Sequence, residues 1–240
     1  KEGIFLVTQA VVDPGEVVLI PDPGYLVYTQ AARFAQAEPY FMPLHAEHEW
    51  LPDLDAIPCG VLKRARLLWL NYPNNPTAAT ANTHFFARAV AFAHEHDLLL
   101  CHDAAYGLVA FDGRPALSIL QIPGASDVTL EFNSLSKAYN MAGWRVGAAL
   151  GNPAALQPLF RLLTGLTSGS FRPVNDASIA ALTGDQSWIQ ARNLVYQLRR
   201  DLVLQTLAKR GWTAEKSGGA LYIWFHIPPG YASSEAFCLA

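Results

Sequence analysis

The sequence predicts an α/β fold, a three-layer arrangement in which helices cover both faces of a mostly parallel sheet. The main observation is that short apolar runs, typical of buried strands, alternate along the chain with amphipathic stretches typical of helices. The second is size, because 240 residues, of which 51% are hydrophobic, can bury a sizeable core around such a sheet.

The first half of the chain shows this alternation in order. The opening residues have a helical pattern, and the turn DPGE leads into a buried strand at 17–21. A helix is predicted at 28–37, followed by strands at 37–44 and 64–73. The helix predicted at 83–97 has apolar residues spaced three and four apart, which places them on one face.

The second half continues the series and then changes character. Strands are predicted at 98–106, 128–133 and 147–152. A long helix follows at 186–210, and it ends where Gly211 suits a left-handed C-terminal cap.

A smaller α+β domain is predicted to begin near the end of the chain. Residues 218–228, GGALYIWFHIP, alternate like a half-buried strand. We therefore expect a large domain over 1–195, and an interdomain helix with the start of a small domain over 196–240. Both ends of the sequence resemble the middle of helices, so we also expect the chain to be part of a longer protein.

Composition argues against several classes of function. The formal net charge is −3 without a basic run, so nothing indicates binding to nucleic acid or an anionic membrane. The apolar runs are far shorter than the roughly 20 residues of a membrane span. Cys59, Cys101 and Cys238 lack the spacing of a metal site or a disulfide framework, and the histidines are scattered. We expect no metal and a cytoplasmic protein.

Lys137 lies directly after a predicted strand, in the segment FNSLSKAYNMAGWRVG. Considered alone, it is explained most simply as a solvated loop lysine. A partly desolvated amine at a strand edge can instead form a Schiff base. Ser134, Ser136 and Arg145 would then supply donors for a phosphate on the same cofactor.

Three further strand ends deliver unusual side chains, and ligands in parallel sheets bind beyond the carboxyl ends of the strands. Asp103 ends a very apolar strand, where an ionised carboxylate needs a partner such as a helix N-terminus, an ion pair or a protonated ring nitrogen. Tyr106 follows three residues later. Asn75 lies in a proline-locked turn, and Tyr25 offers either an aromatic face to a heterocycle or a core side chain.

Taken together, these motifs resemble those of the class I/II, fold-type I aminotransferases, which use pyridoxal 5′-phosphate. SLSKAYNMAGWRVG resembles the family's lysine signature, NNPTA its Asn-Pro-Thr-Gly turn, and DAAYG its Asp-x-x-Tyr segment, in the family's order and approximate spacing. KEGI, DPGY and GGALYIWF extend the resemblance over nearly the whole chain. The branch with LL-diaminopimelate, N-succinyldiaminopimelate, alanine and aspartate-type aminotransferases shares NMAGWR. Ala78 departs from the family, which has glycine there.

The resemblance implies a role for each residue around the cofactor ring. Lys137 would hold pyridoxal phosphate as a Schiff base and, once freed by the substrate, act as the general acid and base. Asp103 would pair with the pyridine nitrogen, Asn75 and Tyr106 would bond the phenolic oxygen, and Tyr25 would stack on the ring.

The resemblance also implies the phosphate site, the reaction and the assembly. Ser134, Ser136, Arg145 and a helix start at Lys1 would bind the phosphate. The reaction would be ping-pong transamination between an amino acid and a 2-oxo acid. A homodimer is implied, with 167–175 resembling the segment that reaches into the partner's site. Neither the substrate-carboxylate arginine nor the amino donor can be assigned.

Three alternatives stay open at the level of sequence. A β-lyase or decarboxylase of the same fold would use the same lysine and aspartate, but would not depend on a 2-oxo acid. An aminotransferase-like sensory domain of a transcription regulator would bind the cofactor without turnover. A non-catalytic scaffold would lack the coloured cofactor adduct.

Overall fold

A computed structural model describes residues 1–114 and 117–240. Over these residues the chain forms one sheet of six strands in the order β2-β1-β3-β4-β5-β6. The strands are β1 (Val17–Asp22), β2 (Glu38–Pro43), β3 (Ala65–Asn71), β4 (Leu99–Asp103), β5 (Thr129–Ser134) and β6 (Gly147–Gly151). Neighbouring strands among β1 to β5 pair in parallel, and β6 pairs antiparallel with β5. The predicted mostly parallel sheet is confirmed.

Helices precede, separate and follow the strands. They are α1 (Glu2–Val11), α2 (Leu26–Phe34), α3 (Cys59–Leu62), α4 (Thr83–Glu95), α5 (Ala125–Val128), α6 (Leu135–Ala138), α7 (Pro153–Leu166), α8 (Arg172–Thr183), α9 (Trp188–Lys209) and α10 (Ser234–Leu239). Among these residues, no helix combines the length and apolarity needed to cross a membrane.

The four central strands, β1, β3, β4 and β5, are buried on both faces, which explains why they are continuous apolar runs. In β1, Val18 and Ile20 belong to the core shared with α1, α2 and α7. Val17 and Leu19, which point the other way, belong to the core shared with α4. Because side chains alternate along a strand, both sets must be apolar when helices cover both faces. The predicted three-layer arrangement is confirmed.

The predicted elements agree with the structure except near the end of the chain. Helix α9 agrees with the helix predicted at 186–210 to within about two residues at each end. Gly211 has the predicted left-handed backbone, with φ of +74°. The strand predicted at 218–228 is wrong. That segment makes only isolated bridges, from Gly219 to Ala110 and from Phe225 to Ala214. Alternation alone cannot form a strand without a neighbouring strand to pair with along its length.

Several helices and a domain boundary complete the comparison. Helices α7 and α8 and the short helices α3, α5 and α6 were not predicted, and α8 contains the last part of the segment 167–175. The predicted boundary between residues 195 and 196 falls inside α9 and stays a prediction.

Gly151 ends β6 in a conformation that only glycine adopts easily. Its φ is +130°, and a Cβ there would lie 2.1 Å from the carbonyl oxygen of Thr129 on β5. We expect Gly151→Ala to lower the free energy of unfolding by about 2 kcal/mol or more, since the substitution combines a forbidden backbone angle with a steric clash. Urea denaturation measures the loss.

Gly165→Ala is the matched control for this prediction. Gly165 lies in α7, and among the described residues no atom outside the neighbouring backbone of this helix lies within 4 Å of the position that its Cβ would take. Alanine in a helix is favoured over glycine by about 0.5–1 kcal/mol, so this variant should be as stable as the wild type or slightly more. Equal destabilisation of both variants would contradict the clash at Gly151.

Candidate active site

The sheet ends in a cavity of about 930 Å³ at the carboxyl ends of β3, β4 and β5. All nine residues that the sequence singled out line this one cavity: Lys1, Tyr25, Asn75, Asp103, Tyr106, Ser134, Ser136, Lys137 and Arg145. As the strand-edge rule predicts, Tyr25, Asn75, Asp103 and Lys137 lie in the same region of the molecule, although the chain separates them widely.

Asp103 is the last residue of β4, and its side chain is buried. One carboxylate oxygen accepts a hydrogen bond of 2.8 Å from the hydroxyl of Tyr28, and the other accepts one of 3.1 Å from the amide of Ala105. Burial raises the pKa of Asp103, and these two hydrogen bonds oppose that rise. Among the described residues, no basic side chain forms a salt bridge with Asp103.

Tyr28, which the sequence analysis did not single out, is held in place by the core. Its ring stacks on Trp69 of β3, with centroids 4.8 Å apart and planes 13° from parallel. The side chain is fully buried, so its hydroxyl needs a partner, and Asp103 is that partner. The stacked pair therefore determines the orientation of the Asp103 carboxylate.

Asn71 joins two of the loops that form the cavity. Its amide nitrogen donates a 2.7 Å hydrogen bond to the backbone carbonyl of Asp103. Its amide oxygen accepts a 2.7 Å bond from the backbone N–H of Asn75. The sequence signal for Asn71 is its position at the end of an apolar strand, where an asparagine side chain becomes buried and needs hydrogen-bond partners.

The turn that carries Asn75 is built by its own side chains and backbone. The side-chain oxygen of Asn74 accepts hydrogen bonds from the backbone N–H and the hydroxyl of Thr77, and the backbone N–H of Asn74 donates to the carbonyl of Ala79. Ala78 has φ of +59°, in the left-handed region. The alanine therefore lies where glycine would be unstrained, at a cost of about 1–2 kcal/mol.

Lys137 lies on α6, a single helical turn that directly follows β5. The hydroxyl of Ser134 accepts a 3.2 Å bond from the amide of Ser136 and so caps the start of this turn. Leu135 is buried beneath it, and Lys137 is half-buried. Arg145 has a left-handed backbone and donates to the carbonyl of Ala142.

The start of α1 forms another wall of the cavity. Lys1 occupies the N-cap position of this helix, and its ammonium lies 5.9 Å from the centre of the Tyr25 ring. A Cβ on Gly3 would lie 2.9 Å from the ring of Phe132 on β5, so the helix packs closely against the sheet here. The amides of the first turn, which have no partner within a helix, are thus held beside the cavity.

Tyr106 contacts a residue from the end of the chain. Its hydroxyl is hydrogen-bonded to the hydroxyl of Tyr222, and the two rings pack edge to face with centroids 5.5 Å apart. Burial raises the pKa of Tyr106, so its hydroxyl keeps its proton. Tyr222 also lines the cavity, and it was not singled out because its segment was interpreted as an ordinary strand.

A buried polar cluster forms around His102, the residue before Asp103 in β4. His102 contacts the carboxylate of Glu131 through Nδ1, at 3.2 Å, and the carbonyl of Tyr72 through Nε2, at 3.1 Å. Burial raises the pKa of Glu131, but its hydrogen bonds, first among them that of His102, outweigh burial and leave the pKa lowered. The cluster links the neighbouring strands β4 and β5.

Comparison with known proteins gives the family. The family model described as aminotransferase class I and II matches residues 1–238 of the chain. The chain belongs to this family. Its members depend on pyridoxal phosphate, so the resemblance drawn from the lysine, NNPTA and DAAYG segments is confirmed.

Similar curated proteins of this family are LL-diaminopimelate aminotransferases. The chain is 50% identical over 235 residues to LL-diaminopimelate aminotransferase 2 of Trichormus variabilis, covering 98% of this chain and 60% of that protein. It is 48% identical to the LL-diaminopimelate aminotransferase of Moorella thermoacetica, with the same coverage. The chain therefore spans about 60% of the length of these relatives.

Solved structures of the family share the fold. The apo structure of BacF from Bacillus subtilis superposes with a TM-score of 0.95 at 40% identity, covering 98% of this chain and 60% of that one. A probable N-succinyldiaminopimelate aminotransferase from Thermus thermophilus gives 0.88 at 34% identity, covering 95% and 61%. The fold-type I assignment made from the sequence is confirmed.

The residues that line the cavity fit pyridoxal phosphate. A buried carboxylate without a basic partner among residues 1–114 and 117–240 suits a protonated ring nitrogen. A half-buried amine, on Lys137, suits an aldehyde. Arg145, the serine hydroxyls of α6 and the helix start at Lys1 suit a phosphate.

Proposed function

We propose that the whole protein is a pyridoxal-phosphate-dependent aminotransferase that moves an amino group between an amino acid and a 2-oxo acid by a ping-pong mechanism. The observation that carries this proposal is the placement of Lys137 and Asp103 in one cavity, an amine and a buried carboxylate without a salt-bridge partner among the described residues. The names of the relatives, at 45–50% identity, support LL-diaminopimelate as the amino donor.

Each cavity residue has a definite task in this proposal. Lys137 would hold the cofactor through its aldehyde. Asp103 would pair with the ring nitrogen, Asn75 and Tyr106 would donate to the ring oxygen, and Tyr25 would stack on the ring.

The phosphate would be held by a separate set of donors. Ser134 ends β5 and caps α6, Ser136 lies in α6, Arg145 follows in the next segment, and Lys1 is at the start of α1. Two cationic side chains and a helix N-terminus together match a doubly charged anion.

Proton transfer is the step that the chain itself performs. Pyridoxal phosphate, when bound, supplies a sink for the electron pair left behind when the α-proton of the substrate departs. The amine of Lys137 would take the proton from the substrate α-carbon and deliver it to the former aldehyde carbon of the cofactor, a general acid and base role worth roughly 10²–10⁴ in rate. The Asp103 carboxylate would favour the protonated form of the ring nitrogen, and the hydroxyl of Tyr28 donates a hydrogen bond to that carboxylate.

A homodimer and a cytoplasmic location complete the proposal. Large apolar side chains are exposed on and around the segment 167–175, among them Phe160, Leu166, Phe171 and Ile179. Such a surface suits a partner subunit. The three cysteines are free, as in a reducing compartment. Light scattering of the full-length protein measures the assembly, and a monomer would contradict the homodimer.

The test of the reaction is a steady-state assay of the full-length protein. With LL-diaminopimelate as donor and 2-oxoglutarate as acceptor, we expect glutamate to form, with parallel double-reciprocal lines as the second substrate is varied. Aspartate and alanine are the comparison donors. Turnover of the amino acid with release of ammonia in the absence of any 2-oxo acid would instead indicate a lyase and contradict the proposal.

A further inference from the structure

Arg192 is a buried cation that the proposed reaction does not use. It lies in α9, and only 8% of its surface is exposed. No carboxylate within the described parts of the chain forms a salt bridge with it. Burial lowers the pKa of Arg192. Burying an arginine is costly unless its donors are satisfied, so its partners show what it does.

The partners of Arg192 are backbone carbonyls of the turn that carries Lys137. Nη1 donates to the carbonyl of Lys137 at 3.1 Å, and also to that of Ala138. These are the last two residues of α6, where carbonyls have no partner within the helix and carry partial negative charge. Arg192 therefore caps the C-terminal end of this turn from a distant helix, as basic side chains commonly do within their own helix.

The same guanidinium also binds the loop that follows Asp103. Nη2 donates a 2.8 Å bond to the carbonyl of Leu108, two residues beyond Tyr106. The side chain of Asn193 donates to the same carbonyl at 3.0 Å and accepts from Arg192. One planar group thus joins the two loops that deliver Lys137 and Tyr106 to the cavity.

The surroundings of Arg192 restrict its movement. Its guanidinium lies 5.4 Å from the ring of Trp188 and 5.8 Å from that of Tyr196, the residues one turn before and one turn after it. Tyr196 also donates to the side chain of Asn140, three residues after Lys137. A single strip of α9 therefore contacts the lysine-bearing segment, with Arg192 at its centre.

We propose that Arg192 is a positioning residue for Lys137, holding the lysine-bearing turn against α9 and the 106–108 loop so that the amine meets the cofactor and the substrate in a productive orientation. The inference rests on the proposed function for its catalytic consequence. Its structural part, the hold on the turn, stands on the hydrogen bonds alone.

Hydrogen exchange on the cofactor-free, full-length protein tests the structural part. We expect Arg192→Gln to speed amide exchange in a peptide covering 135–146 by about 10- to 100-fold, because hydrogen bonds from a charged group are lost. Arg192→Lys keeps the positive charge but loses the planar set of N–H donors of the guanidinium. Its exchange rate in 135–146 should therefore lie between those of the wild type and Arg192→Gln. The control is Lys209→Gln, an exposed lysine in the last turn of the same helix, which should match the wild type.

Kinetics on the loaded enzyme test the catalytic part. For Arg192→Gln we expect kcat, and the rate of cofactor capture by the apo protein, to fall by about 10- to 100-fold, with KM for the amino donor changed by no more than about twofold. A misplaced amine slows the step in which it acts without altering the substrate contacts. Lys209→Gln should stay within about twofold of the wild type.

The outcomes separate this inference from the proposed function. Wild-type exchange in 135–146 for Arg192→Gln would overturn the inference, whatever the enzyme catalyses. Faster exchange with unchanged kcat and capture rate would overturn the positioning role. If Arg192→Gln fails to fold, Arg192→Lys decides by the same two measurements. Absence of transamination in the wild type would overturn the proposed function but leave the exchange comparison intact.

Discussion

Lys137→Ala should abolish the visible absorption band of the cofactor adduct and reduce transamination by at least about 10⁴-fold. The substitution removes both the nitrogen that would hold the cofactor and the group that would move the substrate proton. Lys137 is the half-buried lysine on the turn after β5, inside the 930 Å³ cavity. Absorption spectra after gel filtration and a 2-oxoglutarate-dependent assay measure the two losses.

Lys209→Ala is the control for this variant, because Lys209 is an exposed lysine in the last turn of α9. It should keep the band and activity of the wild type. Circular dichroism should show both variants folded, since a half-buried lysine contributes little to the core. A Lys137→Ala protein with the wild-type band and activity would exclude the proposed role of this lysine.

Asp103→Ala should keep part of the cofactor but lose activity by about 10²–10³-fold or more. Asn75, Tyr106 and the phosphate-binding residues remain, so some binding persists. The electron sink requires a protonated ring nitrogen. The other carboxylate among the described residues that line the cavity is Glu2, which is exposed at the start of α1 and does not take the buried position of Asp103 at the end of β4. The band of the loaded variant and its kcat report the two effects separately. Activity within tenfold of the wild type would contradict the assignment.

Asp103→Asn should make the cofactor-free protein more stable at neutral pH. Burial raises the pKa of Asp103, so this carboxyl group keeps its proton to a higher pH in the folded state than in the unfolded state. Stability from this group is therefore greatest below the unfolded pKa and falls as pH rises through the folded pKa. Asparagine does not titrate, so the stability of Asp103→Asn should not fall in this way as the pH rises.

Urea denaturation of the apo protein at two pH values measures this effect. The midpoints of the wild type and of Asp103→Asn should differ little at low pH, where the aspartate is protonated, and should separate as pH rises to neutrality. Tyr28→Phe is a useful comparison, because it removes one bond that stabilises the carboxylate and should enlarge the penalty. A wild type more stable than Asp103→Asn at neutral pH would contradict the prediction.

The residues that sequence reasoning identified are those whose signal is local. Lys137, Asp103 and Asn75 each follow an apolar strand within a few residues, and the strand-edge rule was enough to place them together. The strands themselves were predictable because a sheet covered on both faces requires continuous apolar runs.

The residues that were missed act across long distances in the chain. Tyr28 is 75 residues from its partner Asp103, and Arg192 is 55 residues from Lys137. A tyrosine in an amphipathic helix or an arginine in a long helix has no local feature that names its partner. The incorrect strand at 218–228 has the same origin, since pairing depends on which neighbour the fold supplies.

By itself, the sequence determined the order of strands and helices, the family and the side chains delivered to the edge of the sheet. These follow from hydrophobic periodicity and from short motifs, which are properties of neighbouring residues. Only the tertiary structure decided how those side chains are held: the Tyr28–Trp69 stack behind Asp103, the Asn71 link and the hold of Arg192 on the lysine-bearing turn. Orientation depends on contacts between distant segments, and such contacts exist only once the chain has packed.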